Sequence, residues 1–284
     1  SLTFFPGLSD DHLSFSFNTS CQMLFYRRDW MQDLSARRTF YEYYSTELRV
    51  PQTADDLLHI ASFFPQKFSV SPDQLYGVSM SSFRSESFLP EFFAYLSLTG
   101  LSLFDAEGNV NLCAPSLFRA IGRYFALLRY SNVKNSKHTC NGVDEFIRGS
   151  SLLSIFSTAN TYLFTRNEYR QISECIACQD VPGKRPILNG NAIGILRGAP
   201  CREEAAAFLE WVFHDTVSSV LTLFSGQPIK KTSTQNAEVL ELYPWLKYFN
   251  RNVEAGRLLS SLSPRIPMDS GFYDELSSAL SNAY

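Results

Sequence analysis

The run Asn189–Lys231 reads NGNAIGILRGAPCREEAAAFLEWVFHDTVSSVLTLFSGQPIKK, and its punctuation decides the fold class. Asn191 to Leu196 is a short apolar run with β-branched residues, set between Gly190 and Gly198, which predicts a buried strand. Gly198-Ala199-Pro200 breaks the chain. Glu203 and Glu204 then fall in the first turn of a helix, where carboxylates favour the dipole. Ala205, Phe208, Leu209 and Val212 recur at helical spacing as one apolar stripe. Asp215 is placed to cap a second short helix with the stripe Val217, Val220, Leu221 and Phe224. Gly226-Gln227-Pro228 ends it with a C-cap glycine and a proline. Taken alone, this is a strand packed under two helices, as in any α/β domain.

Working outward, Leu13 to Phe17 alternates apolar and polar, Asn18-Thr19-Ser20 interrupts, and Met23 to Tyr26 resumes as a strand. A helix start follows near Asp29. Pro51-Gln52-Thr53-Ala54-Asp55-Asp56 predicts a capped helix start, with Thr53 as N-cap and Asp56 three residues on. Tyr76 to Met80 reads as a strand, Ser81 to Glu86 as a polar loop and Phe88 to Leu98 as a helix stopped at Gly100. Phe104 to Asn109 is a turn, and Ser116 is placed to cap a helix with the stripe Leu117, Ile121, Phe125 and Leu128. Lys134 to Gly142 reads as a polar loop, followed by Glu145-Phe146-Ile147-Arg148-Gly149 and Leu152-Leu153-Ser154-Ile155-Phe156. Beyond the opening stretch, helices are predicted near 237–255, divided by Pro244, and near 272–283.

The 284 residues are 45% hydrophobic, enough for a sizeable core in one large or two smaller domains. A net charge of −3 gives no electrostatic footprint for nucleic acid or an anionic membrane. The chain opens on Ser1 without a signal peptide or a lipid-attachment cysteine, and so reads as a fragment of a longer polypeptide. Of the six cysteines, Cys175 and Cys178 form a C-x-x-C pair downstream of His138 and Cys140. A four-ligand zinc site there stands against two plainer readings, unligated thiols or one Cys175–Cys178 disulfide. The four histidines form no triad order, and no G-x-S-x-G, Walker or G-x-G-x-x-G motif occurs, so no catalytic residue, metal site or cofactor is assigned.

The ordered series resembles the extracellular solute-binding proteins of ABC importers, of the carbohydrate type that includes the maltodextrin and multiple-sugar binders. The matching pieces are Phe15-Ser16-Phe17, Tyr26-Arg27-Arg28-Asp29, Pro51 to Asp56, Phe104 to Asn109, Glu145 to Phe156, Val181-Pro182-Gly183-Lys184 and the opening stretch. The resemblance implies a type II periplasmic-binding-protein-like α/β fold in two lobes. It begins in the middle of the family pattern, so the first lobe is expected to lack its N-terminal part. Residues 17–188 plus 236–284 are expected to form the second lobe, and 1–16 plus 189–235 the hinge strands and the remnant of the first.

A protein of this kind captures a sugar in an inter-lobe cleft, without chemistry, and hands it to a membrane permease. It works outside the cytoplasm, in the periplasm or as an anchored lipoprotein. The alternative is a cytosolic sensor domain of the same fold, fused to a transcriptional or signalling regulator. Sugars call for aromatic faces and planar polar side chains on loops at strand ends. That criterion selects Asn18 and Ser20, Phe83 and Arg84, Thr158, Asn160 and Tyr162, and Asn189 and Asn191. Tyr273 stands where the resemblance puts a stacking tryptophan. With part of a lobe missing, this chain is expected to bind sugar weakly and to self-associate through the exposed edge of the strand at Asn191–Leu196.

Overall fold

The computed structural model describes residues 14–68, 75–101, 115–135, 141–196, 198–258 and 270–284. Strand β1 (Ser14–Arg27) is followed by helices α1 (Arg28–Gln32), α2 (Leu34–Tyr44) and α3 (Ala54–Phe68). Next come β2 (Tyr76–Ser79), α4 (Phe88–Leu98), α5 (Pro115–Leu128), α6 (Gly142–Ile147) and β3 (Ser151–Ser157). A 3-10 stretch, Thr158–Thr165, leads to α7 (Arg170–Ser173), β4 (Ile176–Gln179) and β5 (Leu188–Gly194). The chain then runs through α8 (Arg202–Val212), α9 (Asp215–Ser225), α10 (Ala237–Leu242), α11 (Leu246–Glu254) and α12 (Ser270–Ala283). Among the described residues, no helix is long and apolar enough to cross a membrane.

Strand β1 does not break at Asn18-Thr19-Ser20. It runs through with a bulge between Ser16 and Asn18, because the polar residues pair with β5: Asn18 lies opposite Asn191 and Ser20 opposite Asn189. Its second half, Leu24 to Arg27, pairs antiparallel with β4.

The chain divides into two compact units. The described parts of the first are 14–22, 157–166, 187–196 and 198–258, and the other described residues belong to the second. Residues 236–258, read from sequence with the second lobe, group with the first unit through long-range polar contacts. Trp245 Nε1 donates to Thr161 Oγ1 (3.0 Å), Tyr243 Oη to the Leu223 carbonyl (2.9 Å) and Asn250 Nδ2 to the Thr234 carbonyl (3.3 Å).

In the second unit the sheet order is β2-β3-β1-β4, with β2 and β3 parallel. Apart from Ser157 at its end, β3 is buried throughout, including Ser151 and Ser154 among its apolar residues. Leu24, Leu152, Leu153 and Ile155 from the sheet share one core with Phe63, Phe64, Phe88, Phe92, Tyr124 and Leu128 from the helices. Helix α3 starts on the expected reciprocal cap: Thr53 Oγ1 accepts from Asp56 N (3.1 Å), and Asp56 Oδ2 accepts from Thr53 N (3.0 Å). Helix α5 starts at Pro115, so Ser116 sits inside the first turn rather than at the cap. The turn at Phe104–Asn109 lies outside the described residues.

Two expectations for the opening stretch fail in the first unit. The strand spans Leu188–Gly194 rather than Asn191 to Leu196, and of the expected run Asn191, Ala192, Gly194 and Leu196 are exposed rather than buried. Among the described strands β5 pairs with β1 alone, so it is not the interior strand that the apolar run predicted. The stripes of α8 and α9 are also only partly buried, with Leu209 and Val212 inside and Phe208, Val220 and Phe224 exposed. Asp215 is the first residue of α9 rather than its cap. Its carboxylate accepts instead from Lys230 Nζ (3.0 Å) and Thr232 Oγ1 (3.2 Å). Gly226 closes α9 at φ +68°, as expected, and a Cβ there would strike the Tyr243 ring and Thr161 Oγ1.

Candidate functional site

Seven of the ten residues singled out from sequence fall in the first unit, where one ladder and one turn gather them. Directly opposed residues of antiparallel strands share a face, so Asn18, Asn191, Ser20 and Asn189 project to the same side. Asn18 Oδ1 accepts from Asn191 N (2.9 Å), which fixes the amide against the bulge. Ser20 Oγ accepts from Ser157 Oγ (3.1 Å), joining the ladder to the start of the Thr158–Thr165 stretch. Ser157 Oγ also accepts from Ala159 N (3.2 Å) and caps that turn, which carries Asn160 and Tyr162.

The seven do not all present themselves equally. Thr158 is fully buried, and its hydroxyl accepts from Cys21 N (3.0 Å), so it holds the turn to the strand. Ser20 is buried as well. Asn189, Asn191 and Tyr162 are exposed, and Asn18 and Asn160 half-buried. The Arg166 guanidinium lies 5.6 Å from the centre of the Tyr162 ring. The accessible group is therefore four amides and one phenol ring, all uncharged and with a guanidinium alongside. Amides offer donor and acceptor in one plane, and a ring offers an apolar face; together they suit a neutral polyhydroxyl solute.

Sequence reading did not pick out the residues that hold this surface from behind. Thr161 accepts from Trp245 and donates to the Thr158 carbonyl (2.7 Å), and Thr19 donates through both N (3.1 Å) and Oγ1 (2.9 Å) to the Pro228 carbonyl. These pairs are separated by 84 and 209 positions, and no local pattern announces them.

Phe83 and Arg84 belong to the second unit. The Phe83 ring packs on Phe88 (4.8 Å) and Tyr284 (5.6 Å), and its carbonyl accepts from Ser277 Oγ (3.2 Å), while Arg84 is exposed. Tyr273 falls in α12, and its side chain lies outside the described residues. The loop bearing Phe83 is anchored by Glu91 of α4. Its Oε2 accepts from Ser81 N (2.9 Å) and its Oε1 from Tyr124 Oη (3.4 Å), while Ser81 Oγ accepts from Gly142 N (3.2 Å). Burial pushes the Glu91 carboxyl up to about 8; the bonds from Ser81 and Tyr124 pull the other way and only partly offset it.

Cys175 and Cys178 stand as thiols, and burial, with Asp180 nearby, pushes Cys178 up to about 12. His138 and Cys140 lie outside the described residues, so the four-ligand reading has only Cys175 and Cys178 in view. Among the described residues no group of His, Cys, Asp and Glu is placed to hold a metal ion.

A solute-binding protein of an ABC transporter from Agrobacterium radiobacter K84, solved with ribitol, superposes with a TM-score of 0.76 at 17% identity, over 99% of this chain and 68% of its own. The sugar-binding protein MalE from Xanthomonas citri gives a TM-score of 0.71 at 16% identity, over 98% and 68%. Maltose-bound MalE3 from T. maritima gives 0.68 at 19%, over 96% and 68%. The chain has the fold of the ABC-transporter solute-binding proteins. No protein-family model matches the chain, and no curated protein matches it in sequence. The solute-binding-protein fold is type II, α/β with a mixed sheet, as the resemblance implied, and the chain spans 68% of the length of each of these three neighbours.

Proposed function

We propose that this chain is the ligand-capturing part of a carbohydrate or polyol solute-binding protein, working without chemistry. The observation that carries this is the surface formed by Asn18, Asn189, Asn191, Asn160 and Tyr162, set in a fold whose solved neighbours hold ribitol and maltose. The amides would bracket paired hydroxyls, and the Tyr162 ring would lie against the C–H face of the solute. Delivery to the permease of an ABC importer, outside the cytoplasm, follows from the same reading. The lobes read from sequence, 17–188 with 236–284 and 1–16 with 189–235, are proposed with their bounds redrawn to the two compact units, which moves 17–22, 157–166, 187–188 and 236–258 to the first, and Phe83, Arg84 and Tyr273 are proposed contacts of the second. A chemical-shift titration against monosaccharides, oligosaccharides and polyols tests the proposal, because it also reads weak binding. Saturable shifts at Asn18, Asn160, Tyr162 and Asn191, lost in Asn18→Ala and Tyr162→Ala, are expected. Shifts there with peptides only, or turnover of any sugar, would overturn it.

A further inference from the structure

Glu91, in the first turn of α4, puts a carboxyl where the second unit offers it no counter-charge. Its Oε2 accepts from Ser81 N and lies 3.2 Å from where a Cβ on Gly142 would stand, and its Oε1 accepts from Tyr124 Oη. The titratable groups beside it are Tyr95, one turn further along α4, and Tyr124 of α5. Burial raises both phenols well above their ordinary value, so they face Glu91 as neutral hydroxyls. The charged residues on the surrounding elements point to water: Arg84 and Glu86 on the 81–86 loop, Arg119 and Arg123 on α5 and Asp144 on α6 are exposed. Glu145 of α6 is paired with Arg148 (2.6 Å). A carboxylate at this position would keep its hydrogen bonds but gain no cation, so ionisation has to bring water in.

The side that can yield is the 81–86 loop. Helices α4 and α5 are held in the core by Phe88, Phe92 and Tyr124, whereas the loop carries its Arg84 and Glu86 in water. Ser81, which donates to Glu91, begins this loop. Two residues on, the Phe83 carbonyl accepts from Ser277 Oγ of α12 (3.2 Å). The Phe83 ring meets that of Tyr284 just past α12 (5.6 Å), and the Tyr284 ring also meets Phe125 (5.7 Å). Tyr273 stands one helical turn before Ser277. The loop and α12 are therefore joined, and Glu91 holds the end of the loop at which they meet the core.

We propose that Glu91 is a positioning residue for the solute contacts of the second unit: its un-ionised carboxyl holds the 81–86 loop, and α12 with it, in the binding arrangement, and ionisation releases both. This rests on the reading that Phe83, Arg84 and Tyr273 contact solute. The carboxyl's pKa is raised to about 8, so the arrangement is held below that pH and lost as pH rises through it. At about pH 9 roughly one molecule in ten still carries the proton, so affinity there is about tenfold weaker than near pH 7. By linkage, solute binding raises the affinity of Glu91 for its proton.

Two readouts on the 284-residue chain test it. The first is carbon-detected chemical shifts without solute, followed from neutral pH to well above 8. The carboxyl carbon of Glu91, residues 81–86 and residues 277–284 should titrate with one shared midpoint, and Glu91→Gln should remove that midpoint from both segments. The second is the affinity for ribitol and for maltose across the same range. It should fall about tenfold in the wild type and lose its dependence on pH in Glu91→Gln. A Glu91 carboxyl that titrates in the ordinary carboxylate range would overturn the proposal. So would a loop whose shifts do not follow Glu91, a midpoint that survives in Glu91→Gln, or an affinity that stays constant while Glu91 titrates. Absence of binding at every pH, with both segments still titrating with Glu91, would overturn the solute reading and uphold the hold of Glu91 on the loop and α12.

Discussion

Replacing Glu91 by Gln isolates the effect of one buried carboxyl on stability. In the folded chain its pKa is raised from 4.5 to about 8, chiefly by burial. Between those values the unfolded chain has released the proton and the folded chain keeps it, so stability falls as pH rises from 4.5 and levels off above about 8. At ~1.4 kcal/mol for each pH step, an interval of about 3.5 sets a ceiling near 5 kcal/mol. Glu91 is half-buried, and relaxation and water reduce this to about 1–3 kcal/mol. Gln has the same shape, can accept from Ser81 N through its carbonyl oxygen, and does not titrate. Urea unfolding of both proteins across this pH range should show them close near the lower end. The variant should then be increasingly the more stable as pH rises, to about 1–3 kcal/mol above pH 8. A gap that does not change with pH, or a variant less stable throughout, would refute the reasoning. It would mean that Glu91 is ionised in the fold and accepts from Ser81 N and Tyr124 Oη as a charge.

The hydroxyl of Tyr95 is buried with no hydrogen-bond partner among the described residues, so Tyr95→Phe should raise stability by about 1 kcal/mol in the same unfolding assay; a loss would reveal a partner for the hydroxyl. Gly77 lies so close to α3 that a Cβ would sit 1.7 Å from the Ala61 carbonyl oxygen, which is backbone and cannot swing aside. Gly77→Ala should therefore cost about 3 kcal/mol by forcing β2 away from α3, and a wild-type midpoint would show that the two elements are not held this tightly.

Local physics was legible in the sequence where a residue's role depends on its neighbours along the chain. The Thr53–Asp56 cap needs only those residues, Gly226 is required by a left-handed turn, and the predominantly apolar Leu152 to Phe156 has to be inside. The polar residues of the candidate surface were equally visible, because Asn18, Asn189 and Asn191 interrupt apolar runs at strand positions. What they face was not. Thr158 and Asn160 are two positions apart in a polar turn, yet one is buried under a strand amide and the other reaches the surface; the Thr158–Cys21 contact, 137 positions apart, decides it. Whether an apolar run is covered is likewise no property of the run. Asn191 to Leu196 and the stripes of α8 and α9 have the pattern of buried elements, yet Leu196, Phe208 and Phe224 lie in water. Periodicity records which side of an element is apolar; only the tertiary arrangement determines whether another element lies against it.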